Sequence, residues 1–252
     1  MITDSFDPAP GAIVDPGFVN RPAETGCGRC VVTFSAAVVA AALERFPCRE
    51  IARVDSVGGP WPIYLLEHRG VPVAFYKTMI GASGAGACIE EARCITGADK
   101  FIMFGSCGCL DRSIPAGTVI VPTHAYRDEG LSYHYAPPSD YITLKNADRV
   151  AAFFEGAGIP CVRGRTWTTD GLYRETRRNM ELRRAEGCVA VEMECAGVQA
   201  VCDYRGLEYY DFLINGDLLD CDRWDQRILG TDTEAGHQLR CFYAALDLAA
   251  SL

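Results

Sequence analysis

Apolar runs of strand length alternate with helix-length runs along nearly the whole chain, and this alternation most limits what it can fold into. Residues 29–34 (RCVVTF) read as a strand and 36–46 (AAVVAAALERF) as a helix rich in Ala and Leu. Segments 51–57, 61–68 and 71–80 read as successive strands, the last two joined at Arg69-Gly70 as a hairpin. A Gly/Ala/Ser stretch at 81–87 leads into a helix around 88–97. Strands at 101–105, 117–126, 161–169, 189–193 and 207–216 then alternate with helices. The helices are 146–157 (capped by Asn146), 175–187, 194–206 and 233–251. Such alternation predicts an α/β protein, a single-domain α/β/α sandwich around one mixed, partly parallel sheet. The Pro- and Gly-rich residues 1–28 read as an extended N-terminal arm, and 29–252 as the domain.

The chain has 252 residues, 49% of them hydrophobic, enough for one sizeable core. No segment approaches 18 consecutive apolar residues, and MITDSFDPAPGAIVDPG lacks the basic and apolar regions of a signal peptide, so a cytoplasmic protein is expected. A net charge of −9, from 24 basic and 33 acidic residues, argues against nucleic acid or an anionic membrane as partner. Thirteen cysteines without regular spacing read as reduced thiols. Cys27-Gly-Arg-Cys30 has the spacing of a zinc knuckle, but no second pair completes four ligands, so free thiols and no metal site are expected.

In FIMFGSCGCL (101–110) an apolar run stops at Gly105-Ser106-Cys107-Gly108, which reads as a buried strand ending in a tight turn with open backbone amides. Such turns hold anions, yet no Arg or Lys lies between Phe101 and Leu110. In open α/β sheets ligands bind beyond the carboxyl ends of strands. Four such ends gather small, hydroxyl and acidic groups: Gly105-Ser106, Thr168-Thr169-Asp170, Glu192-Met193-Glu194 and Asn215-Gly216-Asp217. In VAVEMECAG (189–197), Glu194 also opens the next helix, where a carboxylate satisfies helix amides. Alternatively, a carboxylate there accepts the paired hydrogen bonds of a ribose diol, with Met193 as a soft contact for the sugar.

These segments resemble the nucleoside phosphorylase/nucleosidase superfamily, which includes uridine phosphorylase, hexameric-type purine nucleoside phosphorylase and methylthioadenosine nucleosidase. VEMECAG followed by INGDLLD carries the strongest likeness, with FGSCGCLDRSIPAGTVIVP (104–122) and TWTTDGLYRE (166–175) in the expected order, from about residue 29 onward. The resemblance implies a partly barrel-like central sheet and an enzyme, a pentosyltransferase. It makes Glu194 the ligand of the ribose diol, with Glu192 and Met193 beside the sugar. Thr169, Asp170, Leu172 and Tyr173 fall on the base side. Asp217 falls on the acid that protonates a purine leaving group, with Asp220 or Asp222 as alternatives, and Gly105 and Ser106 face phosphate.

The sequence departs from the phosphorolytic pattern where phosphate is bound. The segment after the first strand (31–46) has no Gly, Pro or Arg before Arg45, and Met103 stands where an Arg is expected. Arg53 is only near a third position, and Arg127 and Arg174 are the candidate replacements, unless they pair with Glu129 and Glu175. His134 between two tyrosines reads as packing or a sugar contact. The expectation is a nucleoside phosphorylase for a purine-type ribonucleoside, with inorganic phosphate as co-substrate and no cofactor. Alternatives are a nucleosidase using water, a uridine phosphorylase and a non-catalytic nucleoside-binding protein. A homo-oligomer, a dimer or a trimer of dimers, is implied by the resemblance alone.

Overall fold

The computed structural model describes residues 1–9, 11–55 and 59–252. Its strands are β1 (Arg29–Thr33), β2 (Arg49–Val54), β3 (Trp61–His68), β4 (Val71–Lys77), β5 (Lys100–Cys109), β6 (Val119–Asp128), β7 (Tyr141–Thr143), β8 (Cys161–Thr169), β9 (Cys188–Glu192) and β10 (Glu208–Leu218). Its α-helices are α1 (Ala36–Arg45), α2 (Ala82–Thr96), α3 (Ser132–Tyr135), α4 (Ala147–Gly156), α5 (Arg177–Ala185), α6 (Cys195–Arg205) and α7 (Asp232–Ser251). The expected α/β architecture is present. The strand expected at 51–57 reaches into 56–58, which lie outside the described residues.

Local chemistry sets many of the boundaries. Ser35 caps α1 by accepting the Val38 amide at 3.2 Å. The β3–β4 hairpin turns through Arg69 and Gly70, both at positive φ, as a tight two-residue turn requires. Asn146, expected to cap α4, instead donates its amide to the Tyr209 carbonyl at 3.0 Å and ties the helix to β10. The small residues 82–87, expected as a lead-in, are the first turns of α2. Their size lets α2 approach α6: a Cβ on Gly197 would sit 2.7 Å from that of Ala82. Two short 3-10 turns, Ile2–Asp4 and Pro16–Phe18, interrupt the arm, which is tied to the end of α2 by Ala23 N to Ile95 O at 2.8 Å.

The strand order is β10-β6-β8-β9-β5-β1-β4-β3-β2, with β7 on β6 and a further β10–β5 pairing. That pairing closes β5, β9, β8, β6 and β10 into a five-stranded mixed barrel, while β1 to β4 continue as an open sheet. Helices α1 and α7 pack together, α7 against β1 and β5 and α1 against β4, and α2, α3 and α6 form a second group. Phe104 stacks on Phe212 at 5.7 Å and Phe154 meets Phe212 edge-on at 4.9 Å in the buried core.

The expected turn at 105–108 is corrected: β5 runs on through Cys109. Along its first half β5 pairs with β1, ending at Thr33↔Phe104; beyond that it pairs with β9 through Gly108↔Val191 and Cys109↔Ala190. It pairs with β10 throughout. The small residues are therefore where one strand leaves the open sheet for the barrel. A Cβ on Gly108 would lie 2.6 Å from Leu219 Cδ1 and 2.9 Å from Val191 Cγ1. Glycine here marks a close approach at a barrel corner, not a chain reversal. The divergence of β1 from β9 opens a crevice at the carboxyl ends of the strands, where α/β proteins place ligands.

Candidate active site

The crevice holds a cavity of about 1120 Å³. The ends of β5, β9 and β10 floor it, and Phe34, Ile80, the segment 172–177 and the first turns of α7 wall it. Eight carboxylates line it: Glu175, Glu192, Glu194, Asp211, Asp217, Asp222, Asp232 and Glu234. Arg177 is the one cation among the described lining residues, and its guanidinium donates to the carbonyls of Cys221 and Asp222 at 2.8 and 3.2 Å. Met103, Met193, Leu172 and Tyr173 supply apolar surface.

The two glutamates at the end of β9 do different work. Glu192 is buried, and Thr166 and Thr168 donate to its Oε1 at 3.2 and 2.5 Å. Its Oε2 accepts the amides of Glu194 and Cys195, both at 2.7 Å. It thus satisfies the amides that open α6, the role that the sequence assigned to Glu194 as the plainer alternative. Glu194 reaches across to β4's end, where the Gly81 amide donates to Oε1 at 2.6 Å; the Met193 amide donates to Oε2 at 3.2 Å. Burial, with the adjacent Glu192 charge, pushes its carboxyl up to about 8 against the pull of those amides.

Asp211 is a lone acid within the apolar run of β10. Cys195 Sγ donates to its Oδ2 at 2.8 Å, and burial pushes the carboxyl up to about 7. Further along β10, the ladder to β5 shifts register between Asn215 and Asp217. Asn215 fixes this bulge by donating to the carbonyls of Ile114 and Pro115 at 3.0 and 2.9 Å. The bulge sets Asp217 into the cavity, where Trp224 Nε1 donates to Oδ2 at 2.6 Å. Burial raises the Asp217 pKa from its ordinary value; the indole opposes this and Glu234 adds to it. Burial and Asp217 push the neighbouring Glu175 up to about 7. Asp220 differs in kind: hydrogen bonds from Arg112 hold its pKa low, and Arg184 lies 2.9 Å away. Burial thus favours the proton on Asp217, and the hydrogen bonds from Arg112 disfavour it on Asp220.

At the other side of the bulge, the Ser106 hydroxyl donates to Glu234 Oε1 and accepts from Gln238 Nε2 at 2.7 Å. The Gly230 amide donates to Glu234 Oε2 at 2.6 Å. Ser106 thus faces a carboxylate from α7.

Of the residues expected at a site, Gly105, Ser106, Leu172, Tyr173, Glu192, Met193, Glu194 and Asp217 share the cavity. Four are placed elsewhere. Arg127 is buried beside α3, where it donates to Ser132 Oγ at 2.8 Å, Pro137 O at 2.6 Å and Ser139 Oγ at 3.0 Å, and stacks on Tyr133. Its fork is used in holding that segment. Arg174 is exposed, outside the cavity lining. Thr169 turns to Asp128 at 3.4 Å, and Asp170 accepts the Gly130 amide at 2.9 Å. Arg53 pairs with Glu50 on the exposed β2, and His134 is exposed. Cys27 Sγ donates to Arg29 O at 2.7 Å and accepts the Ala74 amide at 3.1 Å.

Sequence reading missed Asp211, Trp224, Glu234 and Gln238, and weighed Glu175 only as a pairing partner for an arginine. A single acid inside YYDFLI was a signal for Asp211. Glu234 was masked by the capping pattern Thr231-x-x-Glu234, which explains a helix start without any site.

Comparison with known proteins matches the model of the phosphorylase superfamily to residues 29–242. The chain is 34% identical over 110 residues to a uridine phosphorylase of Thermococcus kodakarensis, covering 42% of this chain and 39% of that protein. It is 27% identical over 173 residues to the Escherichia coli uridine phosphorylase (58% and 68% covered). To a DeoD-type purine nucleoside phosphorylase of Caldanaerobacter subterraneus it is 24% identical over 188 residues (72% and 76% covered). The chain thus spans less than two thirds of the Thermococcus protein, and more of the other two. With a matched segment covering most of the domain and the barrel-and-sheet topology beneath it, the chain belongs to the phosphorylase superfamily.

Proposed function

We propose that this protein breaks the N-glycosidic bond of a ribonucleoside, with a purine-type base as leaving group. The observation that carries the reading is one cavity holding both Glu194, with two oxygens fixed by backbone amides, and Asp217, an acid whose pKa burial raises. Glu194 suits the vicinal hydroxyls of a ribose, and Met193 the sugar's apolar face. Bond breaking builds oxocarbenium character on the ribose and negative charge on the base. Asp217 relieves that charge by giving its proton to a purine nitrogen, which is typically worth about 10²–10⁴-fold. Leu172 and Tyr173 would cover the base.

Two acceptors complete the reaction. Phosphate, making the chain a pentosyltransferase, is supported by the names of its relatives, uridine and purine nucleoside phosphorylases. Water is supported by the carboxylate facing Ser106. The test of the reading common to both is incubation with a panel of purine and pyrimidine ribonucleosides, with and without phosphate, and chromatography for free base. Release of a purine base is expected; no release from any nucleoside contradicts it.

A further inference from the structure

We propose that the acceptor is water and that Glu234 is the base that activates it at the Ser106 end of the cavity. This rests on the reading of the cavity as a nucleoside-cleaving site and deepens it. A phosphate acceptor needs donors and positive charge where it binds. At Ser106 the one hydroxyl proton is given to Glu234, and its oxygen is taken by Gln238. Glu234 is itself anchored by the Gly230 amide, so the negative charge is a fixed part of the wall. Among the described lining residues the cavity's one cation is Arg177, one nitrogen of which donates to the carbonyls of Cys221 and Asp222. Met103 adds no charge. An anionic acceptor is repelled by the Glu234 carboxylate fixed at that end; a neutral one is not.

Hydrolysis of a glycosidic bond by two carboxylates needs one that holds a proton and one that takes a proton from water. Strand register sets Ser106, the partner of Glu234, near Asp217. Ser106 pairs with Ile214 on β10, three residues before Asp217, and a Cβ on Gly216 would lie 3.4 Å from that of Ser106. In the step, a water oxygen bonds to C1′ while the C1′–N bond breaks and its electron pair goes to the base. Asp217 gives its proton to the base nitrogen, and Glu234 takes one from the water. The products are free base and ribose, and solvent exchange returns both carboxyls to their starting states.

The test uses the unaltered full chain with purine ribonucleosides in ¹⁸O-enriched water, with and without millimolar inorganic phosphate, read by mass spectrometry. Base release indifferent to phosphate, with ¹⁸O on ribose C1, is the expected result. Glu234→Gln should lower release by about 10²–10⁴-fold with the melting temperature retained. Release that requires phosphate and yields ribose 1-phosphate overturns the inference while leaving the glycosidic reading intact. No release under either condition overturns both. The isotope arm needs no variant and decides the acceptor by itself, while release by folded Glu234→Gln at the wild-type rate overturns its role as the base.

Discussion

Among the acids of the cavity, surroundings rather than residue type assign the roles. Glu192 accepts four hydrogen bonds and serves as the fixed support of the turn. Glu194 keeps a carboxyl presented from two amides beside it. Above about pH 8, where the Glu194 carboxyl is ionised, Glu194→Gln removes one charged acceptor of the diol pair, and a hydrogen bond to a charged group is worth about 1.5–3 kcal/mol. We therefore expect KM for ribonucleosides to rise by about 10–100-fold, with a smaller change for 2′-deoxyribonucleosides. Equal changes for both sugars, measured by steady-state kinetics, would remove the diol assignment. Asp220, held by Arg112 and Arg184, is the matched control for Asp217. Asp220→Asn should leave the base-release rate within a few-fold of wild type, and a loss as large as that of Asp217→Asn would contradict the choice of acid.

At the scale of elements, β5 is the strand on which the site depends. It joins the open sheet to the barrel, and its small residues let Val191 and Leu219 close over Gly108. Gly108→Ala places a methyl 2.6 Å from Leu219 Cδ1, and overpacking of this kind costs about 1–3 kcal/mol. The variant should melt at a lower temperature in a thermal scan; an unchanged midpoint would show that the corner has room. This strand also shows why sequence reading reached only part of the fold. Strands 61–68 and 161–169 were legible because their apolar and β-branched residues keep their meaning in any context. The residues 105–108 were not, because glycine and serine look alike in a turn and at a barrel corner, and only the partner strands distinguish them. The same holds for the site. Glu194 and Asp217 sit in local patterns that carry their chemistry, whereas Glu234 comes from α7, 128 residues after the serine it faces. Arg127 was a reasonable cation to invoke until its local segment claimed bonds from all three of its guanidinium nitrogens.

For the whole molecule, concentrating buried acids in one cavity has a cost in stability that depends on pH. Glu194, Asp211 and Glu175 titrate at about 8, about 7 and about 7 in the folded chain, above their ordinary values of 4.5, 3.8 and 4.5. Between those limits the folded state holds protons that the unfolded chain has released, so stability falls as pH rises. The melting temperature should therefore decline from about pH 5 to about pH 8, and Glu194→Gln should flatten the upper part of that decline. A melting temperature rising over the same range would contradict the buried, proton-holding cavity. The central claim is that this cavity cleaves a nucleoside with Asp217 as its acid. The most direct measurement is the rate of free base release from purine ribonucleosides by wild type and Asp217→Asn, at saturating nucleoside. The account predicts release by wild type and a loss of about 10²–10⁴-fold in the variant; equal rates, or no release by wild type, would contradict it.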